Sequence, residues 1–135
     1  FKMDISADIT LKNLNRDLLF QLLYNLINNA IKYNKEQGSI TISDCFNGDT
    51  YSILIKDTGI GIPDEDLDLI FNRFKKANLA EGGGYGLGLS IAKSIATYHG
   101  IILNVESEVS KGTTFTISFP AGMRLDSKTI GLQKV

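Results

Sequence analysis

Soft metal ligands are scarce in this chain of 135 residues: Cys45 is its one cysteine and His99 its one histidine. A single cysteine excludes an intrachain disulfide framework and fits a reducing compartment. It also leaves almost nothing from which to build a zinc site of Cys and His ligands. A dominant charge is missing too. Fourteen basic residues face 15 acidic ones, for a net charge of −1. No global field draws in nucleic acid or an anionic membrane, so neither is expected as a partner of this segment. Long apolar runs are absent. The best candidate, Leu18 to Leu26, is broken by Gln21 and Asn25, well short of the ~20 residues of a membrane span. The opening Phe1-Lys2-Met3-Asp4 has no signal-peptide pattern. It does not begin with Met, so a piece of a longer protein is expected.

What remains is an ordinary globular composition, 43% hydrophobic and 21% charged, which argues against disorder. The length suits one domain, able to bury roughly two thirds of its unfolded surface. Residues 2 to 14 alternate loosely and predict one or two short strands. Asn15 reads as an N-cap, and apolar residues at 18, 19, 22, 23, 26, 27, 30 and 31 predict a helix from Arg16 to about Asn34. Strands are expected over 39–46 and 51–56, with Asn47-Gly48-Asp49 as the turn. A loop over 57–63 leads to a short helix over 64–71. A glycine-ending loop over 75–84 leads to a second long helix over 86–99, with Leu87, Ile91, Ile95 and Tyr98 on one side and Gly100 as its stop. Strands over 101–108 and 113–119 follow, joined by a turn at Lys111-Gly112. The pattern predicts an α+β fold, a two-layer α/β sandwich. Its mixed, mainly antiparallel sheet has about five strands, covered on one face by about three helices. The domain is expected over 1–120, with 121–135 as a C-terminal tail.

Three stretches carry candidate chemistry. In the first helix Gln21, Asn25, Asn28, Asn29 and Lys32 share one side. A solvent-facing surface accounts for them, but asparagine is a poor helix former and an odd choice for that role. The i, i+4, i+7 spacing of Asn25, Asn29 and Lys32 sets their side chains in a row. An amide oxygen there can ligate Mg²⁺ beside phosphate oxygens, and a lysine can meet phosphate. The second stretch is Asp57-Thr58-Gly59-Ile60-Gly61-Ile62-Pro63. It reads equally as a tight turn or as a loop whose glycines admit a ligand to the backbone while Asp57 accepts from an amino group. The third is Gly82-Gly83-Gly84-Tyr85-Gly86-Leu87-Gly88-Leu89, running into a helix. Either it is a flexible loop, or it is a phosphate-binding helix start. It matches neither a Walker A loop nor a Rossmann fingerprint.

The order of these motifs is more specific than any one of them. Asn25-Leu26-Ile27-Asn28-Asn29-Ala30-Ile31-Lys32-Tyr33, then Asp57-x-Gly59-x-Gly61, then Phe71-Asn72-Arg73-Phe74, then Gly84-x-Gly86-Leu87-Gly88-Leu89 closely resemble the N, first-glycine, F and second-glycine boxes of sensor histidine kinase catalytic domains. That superfamily also includes DNA gyrase, a heat-shock chaperone and the MutL proteins. Lys111-Gly112-Thr113-Thr114-Phe115 resembles its closing segment. The resemblance spans about residues 5 to 120.

The resemblance implies ATP and Mg²⁺ as cofactors. By it, Asn29 is the metal ligand, Asn25 supports the metal site or the reacting phosphate, and Lys32 contacts phosphate. Tyr33 and Ile62 line the nucleotide pocket, Asp57 accepts from the adenine amino group, and Gly59 and Gly61 shape the pocket. Gly84, Gly86 and Gly88 form the lid end and the phosphate-facing helix start. Leu87 and Leu89 stand beside them, more as packing than as contacts, and Thr113 touches the pocket. Lys76 stands near the γ-phosphate as a catalytic aid. Phe71 and Phe74 read as core residues, Phe71 above all, while by the resemblance they anchor the lid and contact the acceptor helix. His99 is expected to be structural, not a phospho-acceptor.

Asn25 separates activities within the superfamily. Its ATP-hydrolysing members, and the anti-sigma serine kinases, carry a glutamate there, which can serve as general base. Asparagine has no titratable proton to exchange, which favours transfer to an imidazole. The implied function is donation of the ATP γ-phosphate to a histidine on a separate dimerisation and phospho-acceptor domain, with a response regulator downstream. The competing readings are a degenerate nucleotide-binding signalling module, an anti-sigma-type serine kinase and a superfamily ATPase. The resemblance also implies a cytoplasmic domain, in a whole protein of a kind that includes inner-membrane sensors.

Overall fold

The computed structural model describes residues 2–5, 10–11, 14–71, 86–120 and 124–125. Strands β1 (Lys2–Asp4) and β2 (Thr10–Leu11) precede helix α1 (Arg16–Lys32). Strands β3 (Ile40–Asn47) and β4 (Thr50–Asp57) lead to the short helix α2 (Asp64–Leu67). Helix α3 (Gly86–His99) is followed by β5 (Ile102–Glu108), β6 (Gly112–Phe119) and β7 (Arg124–Leu125). Five strands form one sheet in the order β1-β3-β4-β6-β5. All its pairs are antiparallel except β1 with β3. This is the mixed, mainly antiparallel sandwich that the pattern predicts. The boundary drawn at residue 120 falls ahead of a small second ladder, in which Arg124–Leu125 pairs with Thr10–Leu11.

Helix α1 begins where Asn15 Oδ1 accepts the Leu18 N–H at 3.0 Å, satisfying one orphan donor of the first turn. Its buried face is Leu22, Leu26 and Ala30. Those residues pack with Ile40, Ile42, Ile55, Phe115, Ile117 and Phe119 of the sheet in one core. Helix α3 ends at Gly100, whose φ is +74°. Gly100 N–H donates to Thr97 O at 3.2 Å and Ile101 N–H to Ala96 O at 2.8 Å, a Schellman pair. His99 links the two helices. It accepts the Asn15 N–H on Nε2 at 3.1 Å, so Nδ1 carries the proton and donates to Ile95 O at 2.9 Å. That is a structural role, as expected.

Three local expectations need correction. The buried face of α3 is Leu89, Ala92, Ile95 and Ala96, while Ile91 and Tyr98 face outward, Tyr98 at 78% exposure. Alanines allow the close helix approach that larger side chains would prevent, so size misled the pattern. Helix α2 stops at Leu67, with a turn running on through Phe71. The turns also shift by a residue. Asn47 pairs with Thr50, so Gly48 (φ +63°) and Asp49 make the first. Glu108 pairs with Gly112, so Val109–Lys111 make the other. Among the described residues, no helix is long and apolar enough to cross a membrane.

Candidate nucleotide site

Asp57 ends β4 in the middle of the sheet and is 5% exposed. Its Oδ1 accepts the Gly59 N–H at 2.8 Å and the Thr113 N–H at 3.2 Å. Among the described residues both donors converge on Oδ1, which leaves Oδ2 for an outside donor. Burial pushes the carboxyl above the usual carboxylate range, and the two backbone donors pull part of that shift back. When ionised, this carboxylate is a strong acceptor.

The loop after Asp57 is stitched to its surroundings by backbone and hydroxyl groups. Ile60 N–H donates to Tyr33 O at 3.1 Å, and Ser110 N–H to Ile60 O at 2.8 Å. Thr58 Oγ1 accepts the Ser39 N–H at 2.8 Å and donates to Asn34 Oδ1 at 3.2 Å. Thr58 therefore holds the loop to the residues that follow α1. The glycines at Gly59 and Gly61 are required by close backbone approach. A Cβ on Gly59 would collide with the Tyr33 carbonyl oxygen, and one on Gly61, at φ +75°, with that of Glu108.

Helix α1 carries the polar row. Asn25 and Asn29 are half-buried and Lys32 is exposed. Lys32 Nζ lies 5.3 Å from the centre of the Tyr33 ring. The Asn29 side chain makes no hydrogen bond among the described residues. Asn25 Nδ2 donates to Gly88 O at 3.2 Å, tying α1 to the start of α3. Among the described residues, no group of three or more His, Cys, Asp or Glu is placed to hold a metal ion. A cation bound here would take one amide oxygen from Asn29 and the rest of its shell from phosphate and water. That is a donor set suited to Mg²⁺.

The remaining candidates fall in different places. Ile62 and Leu89 are core residues, 1% and 0% exposed, so they support the site and offer a ligand almost no surface. Thr113 reaches the site through its backbone N–H, while its hydroxyl meets Ser107 Oγ at 2.8 Å. Gly86, Leu87 and Gly88 form the first turn of α3. A Cβ on Gly88 would meet nothing within 4 Å, so packing does not demand a glycine there. Lys76, Gly84 and Phe74 lie outside the described residues. Phe71 packs its ring edge-on to Phe115, centroids 6.2 Å apart.

A groove of about 720 Å³ runs between α1 and α3. Leu18, Gln21, Phe71, Ile91, Ser94 and Tyr98 line it. Ser107 and Asn34 are the polar residues near the loop that sequence reasoning did not single out. Ser107 meets Ile62 from another element, and Asn34 meets Ser39 and Thr58 across the turn that follows α1.

A family model for histidine kinase-, DNA gyrase B-, and HSP90-like ATPases matches residues 14–123. The chain is 46% identical over 110 residues to the signal transduction histidine-protein kinase ArlS of Staphylococcus epidermidis, covering 79% of this chain and 24% of that protein. It thus spans about a quarter of the length of the curated relatives it matches. The solved mycobacterial sensor histidine kinase MprB superposes with a TM-score of 0.77 at 25% identity, over 88% of this chain and 82% of that one. Full-length ShkA, solved in complex with AMPPNP, superposes with a TM-score of 0.71 at 25% identity, over 87% of this chain and 25% of that one. With its glycine-shaped loop, its asparagine row and these matches, the chain belongs to the histidine kinase-, DNA gyrase B- and HSP90-like ATPase family.

Proposed function

We propose that this chain is the ATP-binding catalytic domain of a two-component sensor histidine kinase. In this reading it binds ATP with Mg²⁺ and donates the γ-phosphate to a histidine on a dimerisation and phospho-acceptor domain. A response regulator then takes the phosphoryl group from that histidine. The observation that carries the reading is the buried Asp57 carboxylate, its Oδ1 already held by two backbone donors. Its other oxygen suits the exocyclic amino group of adenine. That the relative ShkA is solved with AMPPNP supports the same ligand class.

Bound ATP supplies the phosphoryl group and Mg²⁺ the counter-charge. The chain's own residues position and neutralise. Asn29 offers its amide oxygen toward the metal, and Lys32 swings from the Tyr33 ring to phosphate. Gly86 and Gly88 offer backbone N–H groups at the start of α3 to phosphate oxygens, and the family resemblance adds Gly84 and Lys76 to the phosphate contacts. Asn25 holds α3 in place and cannot act as a general base, so the nucleophile must arrive already able to attack. A neutral imidazole meets that requirement. Its nitrogen forms the new bond to phosphorus as the bond to the β-phosphate oxygen breaks and the electron pair leaves with ADP. Catalysis then rests on positioning and charge. The groove of Leu18, Phe71, Ile91 and Tyr98 is the surface we assign to the acceptor helix.

The direct test mixes this chain with labelled ATP, Mg²⁺ and the isolated phospho-acceptor domain of a related kinase such as ArlS. Acid-labile, base-stable phosphate on that domain is expected. Acid-stable phosphate on a serine substrate, or release of free phosphate alone, would overturn the proposal.

A further inference from the structure

Ser107 lies in β5, opposite Thr113 of β6. A hydroxyl has one proton to give and two lone pairs to fill, and all three are in use here. The proton goes to Gly112 O at 2.9 Å. One lone pair accepts the Ile62 N–H at 2.7 Å. The other faces Thr113 Oγ1 at 2.8 Å, and Thr113 supplies the proton in that contact, since Ser107 has spent its own. Ile62 belongs to the loop that follows Asp57. Gly112 and Thr113 belong to the strand whose Thr113 N–H holds Asp57 Oδ1. One side chain therefore fixes the loop and the donor of the carboxylate against each other. The fit around it is tight: a Cβ on Gly112, at φ +126°, would strike the Asp57 carbonyl oxygen.

We infer that Ser107 is a positioning residue that sets purine selectivity. It keeps the Asp57 carboxylate turned so that it accepts from the amino group of adenine and repels the oxygen that guanine carries in its place. The inference rests on the assignment of Asp57 to the purine. Orientation decides the outcome, because guanine also has neighbouring N–H donors that a carboxylate free to turn could accept. With Ser107 in place the carboxylate cannot turn. Without it, Thr113 loses its side-chain contact and Ile62 its acceptor, the two backbone donors to Oδ1 are held less firmly against each other, and both purines become acceptable.

The test titrates the wild-type chain, Ser107→Ala and Ser107→Thr with AMPPNP and GMPPNP in Mg²⁺. For Ser107→Ala, AMPPNP affinity should fall about tenfold while GMPPNP affinity holds or rises. Ser107→Thr, which keeps the hydroxyl, should restore the preference. An equal loss for both nucleotides, an unchanged ratio, or no rescue by threonine would overturn the inference. If Ser107→Ala does not fold, Ser107→Cys carries the same comparison. Asp57→Asn separates the two levels. If it keeps full AMPPNP affinity, the Asp57 assignment fails and this inference fails with it. If it loses AMPPNP while Ser107→Ala keeps the wild-type ratio, only the role of Ser107 fails.

Discussion

The side-chain amide of Asn25 donates from Nδ2 to the carbonyl oxygen of Gly88 at 3.2 Å, across 63 residues of chain. The contact joins the row of polar residues on α1 to the first turn of α3. It also explains, physically, why an amide suits this position. A carboxylate has no proton to donate and would set negative charge against the carbonyl. The glutamate that the ATP-hydrolysing members carry could not make this bond.

Asn25→Asp therefore removes a donor and adds a repulsion. Stability should fall by about 1–2 kcal/mol, read by urea unfolding, and phosphotransfer should be lost. Asn25→Glu should not gain ATP hydrolysis, because the new carboxylate would displace α3 rather than meet a water. A faster hydrolytic rate in Asn25→Glu would count against this account of the helix contact.

Asp57 sets a pH dependence whose sign follows from its burial. Its pKa is raised in the folded chain, burial being the main cause, so the folded state binds a proton there more readily than the unfolded one. This group's contribution to stability is complete below the ordinary carboxylate range and is lost as pH climbs through the raised value. Asp57→Asn abolishes that titration while its Oδ1 still accepts from Gly59 and Thr113. Without nucleotide, the variant should be at least as stable as wild type at neutral pH, and the gap should close on acidification. Denaturant unfolding at neutral and acidic pH checks this; a variant much weaker at neutral pH contradicts it.

The glycines divide into two kinds. Gly59→Ala and Gly112→Ala each drive a Cβ into backbone, against the carbonyl oxygens of Tyr33 and Asp57. Each should cost roughly 2–4 kcal/mol of stability. Gly88→Ala meets nothing and should be neutral or stabilising by up to ~1 kcal/mol, while lowering AMPPNP affinity. Thermal unfolding beside a binding isotherm distinguishes the two classes.

Ser110 holds a left-handed backbone with φ +69° in the turn between β5 and β6. Ser110→Gly should relieve that strain and stabilise by about 0.5–1 kcal/mol. A loss of stability in the melting curve would mean that the serine makes a contact outweighing the strain.

Much of this was legible in the sequence because it is local. The period of Leu22, Leu26 and Ala30 gave α1 its buried face, Asn15 its start, and Gly100 the end of α3. Asp57, Gly59 and Gly61 stood out because an acid followed by spaced glycines needs a reason. What stayed hidden depends on contacts made at a distance. Ser107 meets Ile62 from 45 residues away, and no spacing encodes that. Asn25 read as support for the metal site or the reacting phosphate, while its bond to Gly88 depends on how two helices cross. Ala92 and Ala96 were passed over because small residues leave no apolar signal, although they set how closely α3 lies on the core.

The most direct test of the central claim is calorimetric titration of this chain with AMPPNP, with and without Mg²⁺, beside Asp57→Asn. The account predicts binding that Mg²⁺ strengthens and that Asp57→Asn loses while its fold persists. A folded wild-type chain that binds no nucleotide, or a variant that binds as tightly as wild type, would contradict it.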